Sequence, residues 1–202
     1  MEAQPVVHVV DDDDAVRDSL RFLLEAEGYV VRTYSGAQAL IEADLPPAGC
    51  VITDFQMPGM DGLQLQATLA ERGVRLAVVV MTAFGEIPLA VRAMRGGAID
   101  FLEKPFENQS LLDAVQRALT QNKKALQAIS RAASAARRIS ALTPREHEVL
   151  AAVAEGLTNR QVGRRLEMKE RTVAVHVSNV LRKTNTRSRT QAAALLQRVR
   201  AR

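Results

Sequence analysis

The sequence predicts two folded units: a doubly wound α/β domain of five βα repeats, then a smaller all-α domain built round a helix-turn-helix. Three observations carry this. Short apolar runs alternate five times with amphipathic stretches before residue 120, no strand signal follows, and the charge changes sign at the same place. Residues 1–119 hold 9 Lys/Arg against 18 Asp/Glu, a net of −9, while residues 120–202 hold 18 against 5, a net of +13. The acidic half calls for a cation or a basic partner, and the basic half for a polyanion.

Val6–Val10 is apolar apart from His8 and runs into Asp11–Asp14. Val16, Leu20, Leu23 and Leu24 follow at helical spacing, closed by Gly28. Tyr29–Tyr34 reads as a second strand, with Ser35 as the N-cap of a helix through Ala43. Cys50–Thr53 and Leu76–Thr82 are further β-branched runs, followed by helices over about 62–72 and 86–95. Ile99–Leu102 is the fifth strand, and a helix starts at Asn108. Such alternation implies a parallel sheet covered on both faces, whose functional groups gather where the strands end.

Residues 121–141 are rich in Ala and Arg without Pro or Gly, a helix-forming linker. Leu112, Val115, Leu119, Asn122, Leu126, Ile129, Ala133 and Ala136 recur at alternating spacings of three and four. The seam fits either a coiled coil with a second copy or a helix whose first turns face the sheet. From 142 to 202 the signals are all helical. Thr143-Pro144-Arg145-Glu146 is a capping box with Pro at the first helical position, and Gly156 closes that helix. A short helix from Thr158 or Asn159 to Leu166, a turn at Glu167-Met168-Lys169 and a longer helix over 170–184 make the helix-turn-helix. Ser188 opens a fourth helix with Ala192, Leu195, Leu196 and Val199 on its apolar side. The predicted domains are therefore 1–120, 121–141 as linker, and 142–202.

Several classes fall away. Cys50 is the single cysteine, so neither an internal disulfide nor a cysteine-based zinc site can form. The histidines are scattered at 8, 147 and 176, which gives no support to a metalloenzyme. No apolar stretch approaches the ~20 residues of a membrane span, and no secretory leader is recognisable, so no membrane association and a cytoplasmic location are expected. Residues 120–202 contain no aromatic side chain, so stacking on single-stranded bases is poorly supplied and duplex DNA is favoured over RNA.

Asp11 and Asp12 end the first strand, Asp54 the third and Thr82 the fourth, and Lys104 follows the fifth. Carboxylates crowded at one edge repel unless a cation sits among them, and oxygen ligands with retained waters describe Mg²⁺. Lys104 and Thr82 add a fixed positive charge and a hydroxyl, a set suited to a phosphoryl group on a carboxylate. An enzyme alternative would use the same aspartates in a small phosphatase or nucleotide-binding protein. No Gly-rich phosphate loop follows the first strand.

Residues 6–119 resemble the response-regulator receiver domain. The resemblance rests on Asp11-Asp12, Asp54-Phe55-Gln56-Met57-Pro58-Gly59-Met60-Asp61-Gly62, Met81-Thr82-Ala83 and Lys104-Pro105-Phe106. Residues 142–202 resemble the LuxR-type DNA-binding domain through Leu142-Thr143-Pro144-Arg145-Glu146, Glu155-Gly156-Leu157-Thr158-Asn159 and Glu170-Arg171-Thr172-Val173. With Phe84-Gly85-Glu86-Ile87-Pro88 and Gly97-Ala98-Ile99-Asp100-Phe101, the whole is most similar to the FixJ subfamily of the FixJ/NarL family of two-component response regulators.

That resemblance implies a flavodoxin-like (βα)5 receiver in which Asp54 is the phosphoacceptor. It makes Asp11, Asp12, Asp54 and the backbone carbonyl of Gln56 the Mg²⁺ ligands. Lys104, ahead of a cis bond to Pro105, would contact the phosphoryl oxygens, with Thr82 and Phe101 as the moving switch residues. Gln56 and Phe84 would flank the approach of water. It further implies a sensor histidine kinase as donor, a homodimer on phosphorylation, double-stranded promoter DNA and RNA polymerase as partners, and a regulator rather than an enzyme. A receiver that pairs without phosphorylation is the remaining variant.

On the recognition helix the solvent side should carry Arg171, Ala174, Val175, Ser178, Arg182 and Lys183, with Thr172, His176 and Asn179 beside them. Val175 suits a thymine methyl and Asn179 an adenine edge. Arg160, Arg164, Arg165, Lys183, Arg187 and Arg189 are candidate phosphate contacts. Ala174 and Ser178 stand where relatives carry long polar side chains, which shifts weight to backbone contacts and DNA shape.

Overall fold

The computed structural model describes residues 4–83 and 87–200. Two compact units divide the chain, one up to Leu126 and one from Gln127 onward. The first contains β1 (Val6–Val10), α1 (Asp14–Ala26), β2 (Val30–Tyr34), α2 (Ala37–Glu42), β3 (Gly49–Asp54), α3 (Gly62–Glu71), β4 (Ala77–Thr82), α4 (Ile87–Arg95), β5 (Asp100–Glu103) and most of α5 (Asn108–Ser140). The end of α5 belongs to the second unit, with α6 (Pro144–Ala154), α7 (Asn159–Arg165), α8 (Glu170–Thr184) and α9 (Arg189–Arg200).

All five strands are parallel, in the order β2-β1-β3-β4-β5. The order explains the sequence pattern. β1, β3 and β4 have neighbours on both sides and helices on both faces, so every one of their residues is buried. β2 lies at an edge, and its side chains are exposed or half-buried. Alternation along the strands feeds two cores. Val7, Val9, Cys50, Ile52, Val79 and Met81 pack on one side, and Val10, Val51, Val78 and Val80 on the other.

Local chemistry sets the helix starts. Asp13 caps α1, accepting from the backbone N–H groups of Ala15 and Val16. Asp61 and Gln64 form a capping box on α3. The expected Ser35 cap is corrected, because α2 begins one residue later with Gly36 at the N-cap and no side-chain bond. Gly62 is required by close approach, since a Cβ there would lie 2.5 Å from the Asp54 carbonyl oxygen.

α5 is a single helix of 33 residues. Leu111, Ala114, Val115 and Ala118 are fully buried in the first unit's core, with Leu112 and Leu119 packed against it. Asn122 continues that buried face. Its amide donates to the carbonyls of Pro47 (3.2 Å) and Arg75 (2.8 Å) and accepts from the Gly49 N–H (3.0 Å). The first half of the predicted seam thus faces its own sheet, because alternating spacings of three and four also describe the buried stripe of a sheet-packed helix. Leu126 and Ile129 are half-buried, while Ala133 and Ala136 are exposed.

In the second unit Thr143/Glu146 and Thr158/Gln161 close capping boxes on α6 and α7, and Pro144 stands in the first turn of α6. Ile139, Leu150, Val180, Ala192 and Leu196 form one core, and Val149, Val153, Val162 and Val173 a second. Gly163 lets the helix-turn-helix close, since a Cβ there would come within 2.6 Å of the Met168 carbonyl.

Candidate functional sites

The carboxyl ends of β1, β3 and β4 bring Asp11, Asp54 and Thr82 to one edge, because the parallel register aligns Val10 with Thr53 and Asp54 with Met81. Asp11 is 2 % and Asp54 7 % exposed, and Thr82 is fully buried. Lys104 follows β5 directly and precedes a cis bond to Pro105, and its backbone N–H donates to the Thr82 carbonyl (2.7 Å). The Lys104 ammonium then bridges both acids, at 2.8 Å from Asp11 Oδ2 and 2.6 Å from Asp54 Oδ1. The second Asp54 oxygen accepts from the Gln56 N–H (2.6 Å).

Burial pushes the Asp54 carboxyl above the usual carboxylate range, against the opposing pull of the Lys104 ammonium. Burial also works against the charge on Lys104, but the two carboxylates outweigh it and raise its pKa. Asp54 is therefore a desolvated carboxyl held beside a fixed cation.

Asp12 is exposed at the rim, and Phe101 is half-buried against the core on the Val10 side. Phe84 lies outside the described residues. Arg17, which the sequence reading missed, is only 12 % exposed. It donates to the Asp11 carbonyl (2.6 Å) and pairs with Asp14, holding the loop that carries the acids. An Arg three residues after an Asp is a common helix pair, so no signal set it apart.

Among the described residues no three His, Cys, Asp or Glu side chains cluster as a metal site. The oxygen set nevertheless suits Mg²⁺, which is commonly held by one or two carboxylates with retained waters. Asp11 and Asp54 already converge on one cation, that of Lys104.

On α8 the side chains of Arg171, Thr172, Ala174, Val175, Ser178 and Arg182 are exposed, and Val175 at 56 % is the one large apolar residue so exposed among the described residues of this unit. Val173 and Val180 are buried, with Val177 and Leu181 packed beside them. Asn179 is half-buried, as is His176, whose Nδ1 is enclosed without a hydrogen-bond partner. Two of the candidate phosphate cations turn inward. Lys183 donates to Glu146 Oε2 (2.7 Å), and Arg189 to Asn159 Oδ1 (2.8 Å) and the Leu157 carbonyl (2.7 Å). Arg165 pairs with Glu155 on the surface. Among the described residues no helix is long and apolar enough to cross a membrane.

Comparison with known proteins matches both units to known families. Residues 7–116 match the response regulator receiver domain and residues 140–196 the luxR family of bacterial regulatory proteins. The chain is 43% identical over 183 residues to the transcriptional regulatory protein FixJ of Azorhizobium caulinodans, covering 90% of this chain and 87% of that one. It is 41% identical to the tetrathionate response regulatory protein TtrR of Salmonella typhimurium, over 88% and 84% of the two chains. Among solved structures, response regulator StyR superposes with a TM-score of 0.85 at 42% identity, covering 96% of this chain and 99% of that one. Full-length FixJ from B. japonicum gives 0.60 at 36% identity over 98% of each chain. Receiver domains of this kind bind Mg²⁺ at the acidic phosphorylation site, and the family consists of transcriptional regulators rather than enzymes. A buried acid beside a lysine at the strand ends, joined to a helix-turn-helix, thus places this chain in the family of two-component response regulators that couple a receiver to a LuxR-type DNA-binding domain.

Proposed function

We propose that Asp54 accepts a phosphoryl group from the phosphohistidine of a sensor kinase, and that this event raises the affinity of a dimer for promoter DNA. The observation that carries the proposal is the Asp54–Lys104–Asp11 bridge at the sheet edge. An Asp54 carboxylate oxygen attacks phosphorus, the P–N bond breaks, and the departing imidazole keeps the electron pair and takes up a proton. Lys104 then follows the new charge by shifting from the carboxylate to a phosphoryl oxygen. Mg²⁺ held by Asp11, Asp12, Asp54 and the Gln56 carbonyl would neutralise the remaining phosphoryl charge. Thr82 and Phe101, on adjacent strands behind the site, carry the change to the surface.

Arg171, Thr172, Val175, Ser178, Asn179 and Arg182, with His176 beside them, form the major-groove face of α8. The α5 seam beyond Asn122, with Leu126 and Ile129 half-buried and Ala133 and Ala136 exposed, pairs with a second copy, and RNA polymerase is the downstream partner at the promoter. Such a protein works in the cytoplasm, where its DNA lies. Incubation with acetyl phosphate and Mg²⁺, followed by borohydride trapping and peptide mapping, should find the label on Asp54. A label elsewhere, or none in wild type, contradicts the assignment.

A further inference from the structure

Two cations that the sequence offers to DNA are engaged inside the protein. Glu146 stands in the first turn of α6, its side chain 5 % exposed, and a carboxylate so enclosed needs a partner. It accepts from the Thr143 N–H (2.8 Å) and from the Lys183 ammonium at the end of α8 (2.7 Å). Its pKa is held below the ordinary glutamate value, first by the Lys183 hydrogen bond. The Arg189 guanidinium, in the first turn of α9, grips the Asn159 side chain and the Leu157 carbonyl where α7 begins. Thus α8 is tied to α6 and α7 to α9, each by one cation.

We infer that Lys183 and Arg189 are positioning residues that set the two helix-turn-helix helices on their supports, and that neither neutralises a DNA phosphate. The inference rests on the DNA-binding reading above. A phosphate contact releases counterions, so its loss flattens the salt dependence of binding by about 0.9 in log–log slope. Loss of a positioning tie leaves the slope intact and lowers recognition of the right sequence.

The test uses the full chain, a duplex recovered by selection from a random pool, and a scrambled duplex of equal length, titrated with KCl at fixed Mg²⁺. Lys183→Met and Arg189→Met should each weaken selected-duplex binding about tenfold, narrow the preference over the scrambled duplex and keep the wild-type slope. Glu146→Gln should reproduce Lys183→Met, and Asn159→Ala should reproduce Arg189→Met. Combining both members of a pair should cost little more than either alone. Lys183→Arg should restore most of the affinity. Circular dichroism and melting curves establish that each variant is folded at the assay temperature. A slope reduced by about one for either cation overturns its assignment, and so does unchanged affinity in a folded variant, which would leave the tie merely structural. A wild-type chain that binds neither duplex would remove the DNA-binding reading itself.

Discussion

The two units handle their charges in opposite ways. At the receiver edge, buried carboxylates converge on one lysine, on strands whose order and register the parallel sheet fixes. In the helical unit a single enclosed glutamate, Glu146, is answered by its own lysine, and the cations Arg171 and Arg182 stay in solvent. A chemical site therefore needs charges forced together by the fold, and a nucleic-acid face consists of the charges that packing leaves over.

Removing the cation should disturb the first arrangement most. Lys104→Met leaves two enclosed carboxylates facing each other and should cost the first unit about 3 kcal/mol. Added Mg²⁺ should recover part of that loss, and Asp54→Asn in the same chain should recover more. All tyrosines and phenylalanines lie before residue 107 and there is no tryptophan, so near-ultraviolet circular dichroism during urea unfolding reports this unit alone. No loss of stability in Lys104→Met would mean that the bridge does not hold the edge together.

The next effect is set by His8, which burial and then Arg32 bring down from 6.5 to about 4. The ring is fully buried, its Nδ1 bonded to the Tyr34 hydroxyl (3.1 Å). Between those values the unfolded chain binds the proton and the folded chain does not. Stability should therefore be fully present above pH 6.5, fall by up to about 3 kcal/mol as pH drops to about 4, and level off below. His8→Phe should flatten this part of the profile, read by the same unfolding signal after the carboxylate contribution is subtracted.

A smaller loss, about 2 kcal/mol, is expected for Asn122→Ala, which leaves the Gly49 N–H and two carbonyls without their partner. Hydrogen exchange over residues 119–126 should quicken, and unchanged protection there would contradict the anchoring role. In the helical unit, Arg187→Ala, which removes an exposed candidate phosphate contact, should weaken selected and scrambled duplexes alike by about tenfold and reduce the salt slope by about 0.9. A loss confined to the selected duplex would contradict a phosphate contact at Arg187.

Legibility in the sequence followed the same division. Asp11, Asp54, Thr82 and Lys104 meet at the sheet edge because each stands at or just beyond the point where a strand's apolar run stops, and a parallel register then leaves their side chains one place to gather. Helical periodicity names a face and not its neighbour, so the seam through Leu112, Leu119 and Asn122 could not distinguish a sheet from a second copy. Nor could it show that Lys183 and Arg189 turn inward while Arg171 and Arg182 do not, since that depends on which partners, Glu146 and Asn159 here, distant helices bring near. Ser35 failed as a cap because a backbone shift of one residue places Gly36 there instead.

The claim that joins the two units is that phosphoryl transfer to one aspartate changes the grip on DNA. Its most direct test is the affinity of the full chain for the selected duplex, measured with and without acetyl phosphate at constant Mg²⁺ and KCl, for wild type and Asp54→Asn. Wild type should tighten when the donor is added and Asp54→Asn should not. Equal tightening in both, or none in wild type whose Asp54 is shown to be phosphorylated, would contradict the account.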